Sequence, residues 1–521
     1  MRLPQVHPER RVPVGRLGGL HPLLFAAYPV VFLWSENVGE TSPDDVLEPL
    51  LAVVAAAAIM VFGAGLLVDR RRVALVLTPL VLGTLLYGYI GVMTGQPVEV
   101  RLAAWTLIVL GAVLAAIRLG PALLASIDRF LLVVAAILLA MPLITVVPYE
   151  IDEAVAAPLP ILVGGEALET ETDAPKRDVY WLVYDRYGSD RSFELQFGVR
   201  NPLTPWLREQ GFTVLDDSHA NYDATSLSMS TSLNMVHLEE LTGMANSESS
   251  SYAPLYARLQ GSRVVQQFKA LGYRYLHLGS WWNPTRTDAA ADENWNADGV
   301  SDFSSVLMEQ SAWPLVVETF ELEEEPPSES VKHLKHNRYA LDVLDRLPAE
   351  AGPKFVLAHM LLPHPPYVFD RDGRYIPVDE AAGLDTTDAW QRQLDYTNAR
   401  LQRFLEGLLA LPPEEQPIII LQADEGPWTN GYNADKVNYD WTTASPEELE
   451  IKFGIINAWY LPGGEDLGFD PALSAINTFP VLFGRYFGLD YELLPDRVTA
   501  SRGWNRPYQL IDVTDRLPSL R

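Results

Sequence analysis

Apolar positions along this chain fall into two regimes that meet near residue 148. Before that point they are continuous, in five runs at 17–34, 46–68, 73–93, 102–117 and 130–147 dominated by Ala, Leu, Val and Ile. A helix needs about 20 apolar residues to cross a hydrocarbon core, and each run reaches or nearly reaches that length. The first and fourth are the shortest, and Pro22 and Pro29 interrupt the first. Five such runs in succession predict a five-helix transmembrane region over 1–148 instead of a buried globular core. Beyond it, β-rich runs at 179–184, 212–215, 273–278, 355–358, 418–422 and 455–460 alternate with amphipathic stretches at 253–271, 331–347 and 389–410. That alternation predicts an α/β domain over 178–521, a mainly parallel sheet flanked by helices. Between the two, 149–177 is rich in Glu, Asp, Pro and Ala without apolar periodicity, which predicts an acidic linker.

Charge orients the spans. Arg2, Arg10, Arg11 and Arg16 precede the first run, Arg70, Arg71 and Arg72 separate the second and third, and Arg118 and Arg129 flank the turn before the fifth. The alternate loops are mainly acidic, so the positive-inside rule places the N-terminus in the cytoplasm. An odd number of spans then places the C-terminal domain outside the cell membrane. With more spans following and no small-residue cleavage site, the first run is not a cleavable signal by itself. Most of the acids behind the net charge of −28 lie in the second half, and the absence of a basic patch excludes nucleic acid as a partner. The chain has no cysteine, which excludes disulfides, cysteine zinc sites and thiol catalysis.

In open α/β sheets, ligands bind beyond the carboxyl ends of the strands. Two predicted strands close on acids there: one runs into Asp185-Arg186-Tyr187-Gly188, the other into Asp424-Glu425-Gly426-Pro427. A third passes His359 and ends in His364-Pro365-Pro366-Tyr367. Between them, Asn221 to Met235 carries Thr225 after a polar turn, with Leu227, Leu233 and Met235 at helical spacing. A hydroxyl at a helix N-terminus faces unpaired N–H groups and the positive end of the dipole, an arrangement suited to a phosphate or a developing alkoxide. Thr225 with Ser228 also fits an ordinary capped helix, and an acid at a strand end is commonly a turn former. Their joint occurrence is what singles them out.

Asp185, Thr225-Ser226-Leu227-Ser228, His364-Pro365-Pro366-Tyr367 and Asp424-Glu425-Gly426, in this order, resemble the alkaline phosphatase superfamily in its sulfatase-like branch. Five spans before an outer domain resemble lipoteichoic acid synthases and lipid A phosphoethanolamine transferases. Residues 456–462 and 476–479 are similar to the final strand and following helix of such proteins. The resemblance implies that Thr225 is the nucleophile and, with Asp185, Asp424 and Glu425, a metal ligand, while His364 meets the substrate or leaving group. Thr225 lacks the Cys/Ser-x-Pro-x-Arg setting of formylglycine enzymes, which argues against sulfatase activity. The family usually has Asp-His-Gly where this chain has Asp424-Glu425-Gly426, and no histidine follows His364. An all-oxygen ligand set for one divalent ion would favour Mn, Mg or Ca over Zn.

Other polar residues carry open alternatives. Asn221, at the head of the Thr225 segment, and Trp281, in Trp281-Trp282-Asn283-Pro284, are candidates for substrate binding, Trp281 as an aromatic wall or equally as a packed loop anchor. His333 and His336 stand three apart amid Lys332, Lys335 and Arg338, which suits a solvated helix face better than a metal site. His359, inside an apolar run, reads as a hydrogen-bonded core histidine, and His219 and His277 remain open. The expected function is a membrane-anchored, metal-dependent phosphotransferase or phosphohydrolase acting on an envelope lipid or glycan through a phosphothreonine. The alternative is a catalytically degenerate domain that binds an envelope polymer or partner protein.

Overall fold

The computed structural model describes residues 18–38, 41–156, 175–243, 247–297, 301–320, 329–436, 438–463 and 468–520. They form two compact units, Met1–Asp152 with Phe303–Ser328, and Glu153–Asp302 with Glu329–Arg521.

The first unit contains α1 (His21–Glu36), α2 (Pro43–Ala64), α3 (Arg70–Leu85), α4 (Tyr87–Thr94), α5 (Val98–Arg118) and α6 (Pro121–Ala156). Among the described residues each of the five apolar runs is mostly helical. Polar residues set their starts: the Ser42 side chain accepts from Asp45 N–H ahead of Pro43, and Asp69 accepts from Arg71 N–H at 3.0 Å. Among the described residues α2, α5 and α6 are long and apolar enough to cross a membrane. At 16 residues α1 is shorter, and the third run is broken into α3 and α4, bent by 62°. Large apolar side chains point outward, with Ile59 and Ile144 each 73% exposed and Phe130 66%. Such a surface suits lipid and is unfavourable in water. The last helix continues past residue 148 to Ala156, so the start of the expected linker is helical; 157–174 lies outside the described residues.

The second unit is built on seven strands: β1 (Val179–Tyr184), β2 (Thr213–Val214), β3 (Arg274–Leu278), β4 (Glu293–Trp295), β5 (Lys354–Met360), β6 (Ile418–Gln422) and β7 (Asn457–Tyr460). Their order is β2-β7-β6-β1-β5-β3-β4, and β7 runs antiparallel to both of its neighbours. The α/β reading holds, with β4 added; three residues, Glu-Asn-Trp, leave no alternation to detect. The amphipathic stretch 253–271 divides into Ala253–Leu259 and Arg263–Ala270; Gln260 turns extended at the end of the first helix and Gly261, at φ +53°, turns the chain toward the second.

Strand β1 is buried along its whole length because both faces are covered. Tyr180, Leu182 and Tyr184 pack with the helices Glu329–Leu344 and Thr386–Leu409, through residues such as Leu341, Trp390 and Leu405. Val179, Trp181 and Val183 pack on the other face against Met229 and Leu233 of the helix Thr225–Asn234. Pleat and register therefore put that helix on the side of the odd-numbered β1 residues. At the opposite end of the strands, Asp178 gathers three of them. Its carboxylate accepts from Lys354 N–H at 3.0 Å and pairs with the Lys354 ammonium, and its carbonyl accepts from Ile418 N–H at 2.9 Å.

The Lys354 side chain is 1% exposed and that of Asp178 is 23%. Lys354→Ala should lower stability by about 2 to 3 kcal/mol, below the ~3 to 5 of a fully buried broken pair because water reaches Asp178. A thermal midpoint of the purified chain unchanged by the substitution would contradict this.

Candidate active site

Asp185 follows β1 and Asp424 follows β6, and the register fixes where they point. Val183 lies beside both His359 on β5 and Gln422 on β6, so these three side chains share a row on one face. Asp185 and Asp424 are two residues beyond Val183 and Gln422, and alternation returns them to the same face. One ligand atom each from Asp185, His359 and Asp424 lie within 4.8 Å of one another, all from buried residues. Asp185 Oδ1, both Asp424 oxygens and His359 Nε2 are buried without a hydrogen-bond partner.

Thr225 is the first residue of its helix, after Ala224 at the cap position, and no side chain caps that end. The capping alternative fails: Ser228 Oγ donates back to the Tyr222 carbonyl at 2.9 Å. The Thr225 hydroxyl is thus left beside Asp424. Burial raises the pKa of Asp424 and the neighbouring hydroxyl opposes the rise, although no well-formed hydrogen bond links the two.

Glu425 is turned elsewhere. Its Oε1 lies 2.9 Å from Lys452 Nζ and 3.2 Å from Arg186 Nε, both within the protein. Two local features make this contact. Gly426 donates its N–H to the Lys452 carbonyl at 2.8 Å, an approach only glycine permits, because a Cβ there would sit 2.2 Å from the Ile451 carbonyl oxygen. Arg186 adopts the left-handed region at φ +62°, which turns the chain sharply after Asp185. Its guanidinium is stacked 3.2 Å from the Trp428 ring centre, and Lys436 approaches the same ring at 3.7 Å.

His364 stands at the rim. Its Nε2 is 3.8 Å from Asp185 Oδ2, its Nδ1–H donates to the Pro365 carbonyl, and its ring is 5.5 Å from Trp428 and 6.4 Å from Trp281. Burial, helped by Arg186, holds it well below the usual imidazole pKa. Trp281 is both wall and anchor: it faces His364 and donates to His333 Nδ1 at 3.0 Å.

The structure thus brings Asp185, Thr225, Asp424, Glu425 and His364 to one place. Asn221 does not join them, because its amide donates to the Arg497 carbonyl and its oxygen accepts from Ile476 N–H, both at 2.9 Å. The solvated-face reading of His333 and His336 is also corrected. Both are buried, with burial lowering their pKa values to about 3 and about 4, because Lys335 and Arg338 carry the exposed side of that helix. His219 pairs with Asp496 at 3.0 Å, and His277 spans Tyr275 and the Thr285 carbonyl. His359 is hydrogen-bonded as expected, through Nδ1 to Thr285 Oγ1 at 2.7 Å, but its other nitrogen belongs to the acidic cluster. Lys452 gave no sequence signal.

No protein-family model matches the chain, and no curated protein sequence does. The chain is similar to solved structures of phosphoethanolamine transferases. It resembles the C-terminal periplasmic domain of EptC from Escherichia coli at 15% identity, covering 67% of this chain and 96% of that one, with a TM-score of 0.41. It resembles the integral membrane lipooligosaccharide phosphoethanolamine transferase A from Neisseria meningitidis at 10% identity over 90% of this chain and 94% of that one, with a TM-score of 0.41. A phosphonate monoester hydrolase of Agrobacterium radiobacter is matched at 11% identity over 62% and 80%, with a TM-score of 0.39.

Burial raises the pKa of Asp185 and of Asp424, and the Asp424 charge adds to the rise at Asp185. A raised carboxyl pKa means the folded chain holds these protons more tightly than the unfolded chain. Stability of the metal-free protein is therefore lost as pH rises through the raised values and regained as pH falls toward the ordinary aspartate value of 3.8. Asp424→Asn should raise the thermal midpoint in chelator at neutral pH and flatten its pH dependence relative to wild type. A lower midpoint for Asp424→Asn at neutral pH would show that the carboxylates do not strain the fold.

Proposed function

We propose that this chain is a membrane-anchored, metal-dependent enzyme of the alkaline phosphatase superfamily that transfers or hydrolyses phosphoesters through phospho-Thr225. The observation that carries this reading is the uncapped Thr225 hydroxyl at a helix N-terminus beside buried carboxylates whose oxygens have no partner. Buried acids without hydrogen bonds are costly, and a cation is what such a donor set accommodates. Asp185, Asp424 and Thr225 would hold a divalent ion there, which when bound stabilises an alkoxide and offsets phosphoryl charge.

The residues support a two-step exchange. In the first, Thr225 Oγ forms a bond to phosphorus as the ester O–P bond breaks, and the proton given up by the Thr225 hydroxyl passes to the departing alcohol. Unpaired N–H groups of the Thr225 helix face the incoming phosphoryl oxygens. In the second, a water or an acceptor hydroxyl attacks phosphorus and the bond to Thr225 Oγ breaks. His364, neutral and with Nδ1–H committed to a carbonyl, presents Nε2 to relay the acceptor's proton to the departing Thr225 Oγ.

The outward apolar side chains of the first unit support a bilayer anchor, and the arginine distribution supports five spans with the N-terminus inside and 178–521 outside. Domain limits of 1–148, 149–177 and 178–521 follow from that division. An outer active site tethered this way reaches envelope lipids and glycans. A second reading, a non-catalytic domain binding an envelope polymer or partner protein, is favoured by one feature: Glu425 is spent on Lys452 and Arg186.

Incubation with a phosphodiester or phospholipid donor and Mg, Mn, Ca or Zn should give turnover and a phosphate on Thr225 detectable by peptide mass spectrometry. Thr225→Ala should cost ~10³-fold or more. Wild type inactive with every metal would leave the binding reading. Because the chain has no cysteine, Gly120→Cys and Glu414→Cys report topology: a membrane-impermeant thiol reagent applied from outside should label position 414 and spare 120. The reverse pattern would remove the envelope substrate from consideration.

A further inference from the structure

The cation site just proposed lacks a nitrogen donor after Asp424, and the reasoning here rests on that reading of the site. Glu425 is poorly placed to serve as a ligand. Its Oε1 is held between Lys452 Nζ and Arg186 Nε, and side chains 2% and 3% exposed make the Lys452–Glu425 pair fully internal. Drawing the carboxylate onto a cation would strip a buried ammonium of its direct counterion, a strongly unfavourable change.

On the other side of β1 stands a donor with the opposite problem. His359 Nε2 is buried, has no hydrogen-bond partner, and lies with the Asp185 and Asp424 oxygens in one cluster. Its Nδ1 is 2.7 Å from Thr285 Oγ1, which is 2.9 Å from Ser280 Oγ, which in turn is 3.5 Å from the Trp282 carbonyl. Donated in that direction, the chain ends on a carbonyl acceptor and fixes the proton on Nδ1, leaving the Nε2 lone pair directed at the carboxylates. A ring nitrogen held by an outer partner while the other faces an acidic cluster is the usual setting of a metal-binding histidine.

We infer that His359, from β5, supplies the nitrogen ligand of this site, and that Glu425 stays outside the ligand set as the anion that positions Lys452 and Arg186. The set is then Asp185, Asp424, Thr225 and His359. One imidazole among oxygens favours Zn, Co or Mn over Mg and Ca, which reverses the preference an all-oxygen set would give.

The test uses the full-length chain, stripped of metal and titrated with Zn²⁺ or Co²⁺ alone. Bound metal is quantified by elemental analysis, affinity by the cobalt d–d absorption, and ligand type by X-ray absorption on the zinc form. Wild type should bind one ion with one imidazole. His359→Gln should weaken binding by about 100-fold or more, and Thr285→Val by about 10-fold, as loss of an outer partner does. Glu425→Gln should keep the same ligand types and number in the zinc spectrum, with only a several-fold loss of affinity from the uncompensated charge of Lys452. A spectrum of wild type with no imidazole overturns the assignment without reference to any variant's folding. Loss of an oxygen ligand from the zinc spectrum of Glu425→Gln overturns it too, while leaving a metal enzyme in place. Wild type that binds neither ion overturns both the assignment and the proposed function.

Discussion

Two carboxylates that cannot comfortably both be charged set the terms for the outer unit. Asp185 and Asp424 end adjacent parallel strands, point to the same face, and meet where water is excluded. Their compensation is slight: Arg186 Nε is 3.6 Å from Asp185 and 3.2 Å from Glu425, and both Asp424 oxygens lack a hydrogen-bond partner among the described residues. A fold tolerates such a cluster when the loss is recovered on binding a cation, because a ligand that binds only the native state stabilises it by mass action. The remaining features of the site, the bare helix N-terminus at Thr225 and the free nitrogen of His359, fit the same missing charge.

The sheet makes this possible with little local design. Parallel strands in register place residues of equal depth side by side, so one acid after each of two strands and one histidine on a third suffice to build a cluster. The hydrophobic layers then lock it. Met229 and Leu233 seat the Thr225 helix on Val179, Trp181 and Val183, so the helix start is carried to the same edge by packing. Residues far apart in sequence converge because core residues position the elements that bear them.

How much of this could be read beforehand follows from what kind of information each element carries. Strands with unbroken apolar runs, β1 and β6, were legible to the residue, and so were the acids closing them, because a buried parallel strand has a distinctive composition. Thr225 was legible through the helical spacing behind it. His359 reads as core from sequence because a histidine among apolar residues has two fates, and only the neighbouring strands' register decides between them. His333 and His336 were misplaced for a related reason: the lysines and arginine beside them describe the outer side of the helix and say nothing of the inner one. Lys452 lies 27 residues after Glu425 with no motif around it, and the close turn at Gly426 that joins them is a tertiary fact. Asn221 shows the converse, a polar residue in a chemical neighbourhood whose side chain is spent on backbone groups.

The departure at Glu425 makes sense as a matter of charge. Where the resemblance leads one to expect a neutral imidazole, this chain carries a carboxylate, and an added negative charge beside Asp185 and Asp424 would by itself worsen the repulsion. Lys452 cancels it at 2.9 Å. With all three acids ionised, as cation binding requires, Asp185, Asp424 and Glu425 against Arg186 and Lys452 leave one net negative charge, the same as two acids with Arg186 and a neutral imidazole. A divalent ion would bring the site to one net positive charge, which matches the single negative charge of a phosphodiester. A Glu–Lys pair in place of the histidine that the resemblance implies would thus be electrostatically silent at the level of the whole site. What it alters is the identity of the donors, and that moves the demand for a nitrogen from the β6 turn across β1 to His359.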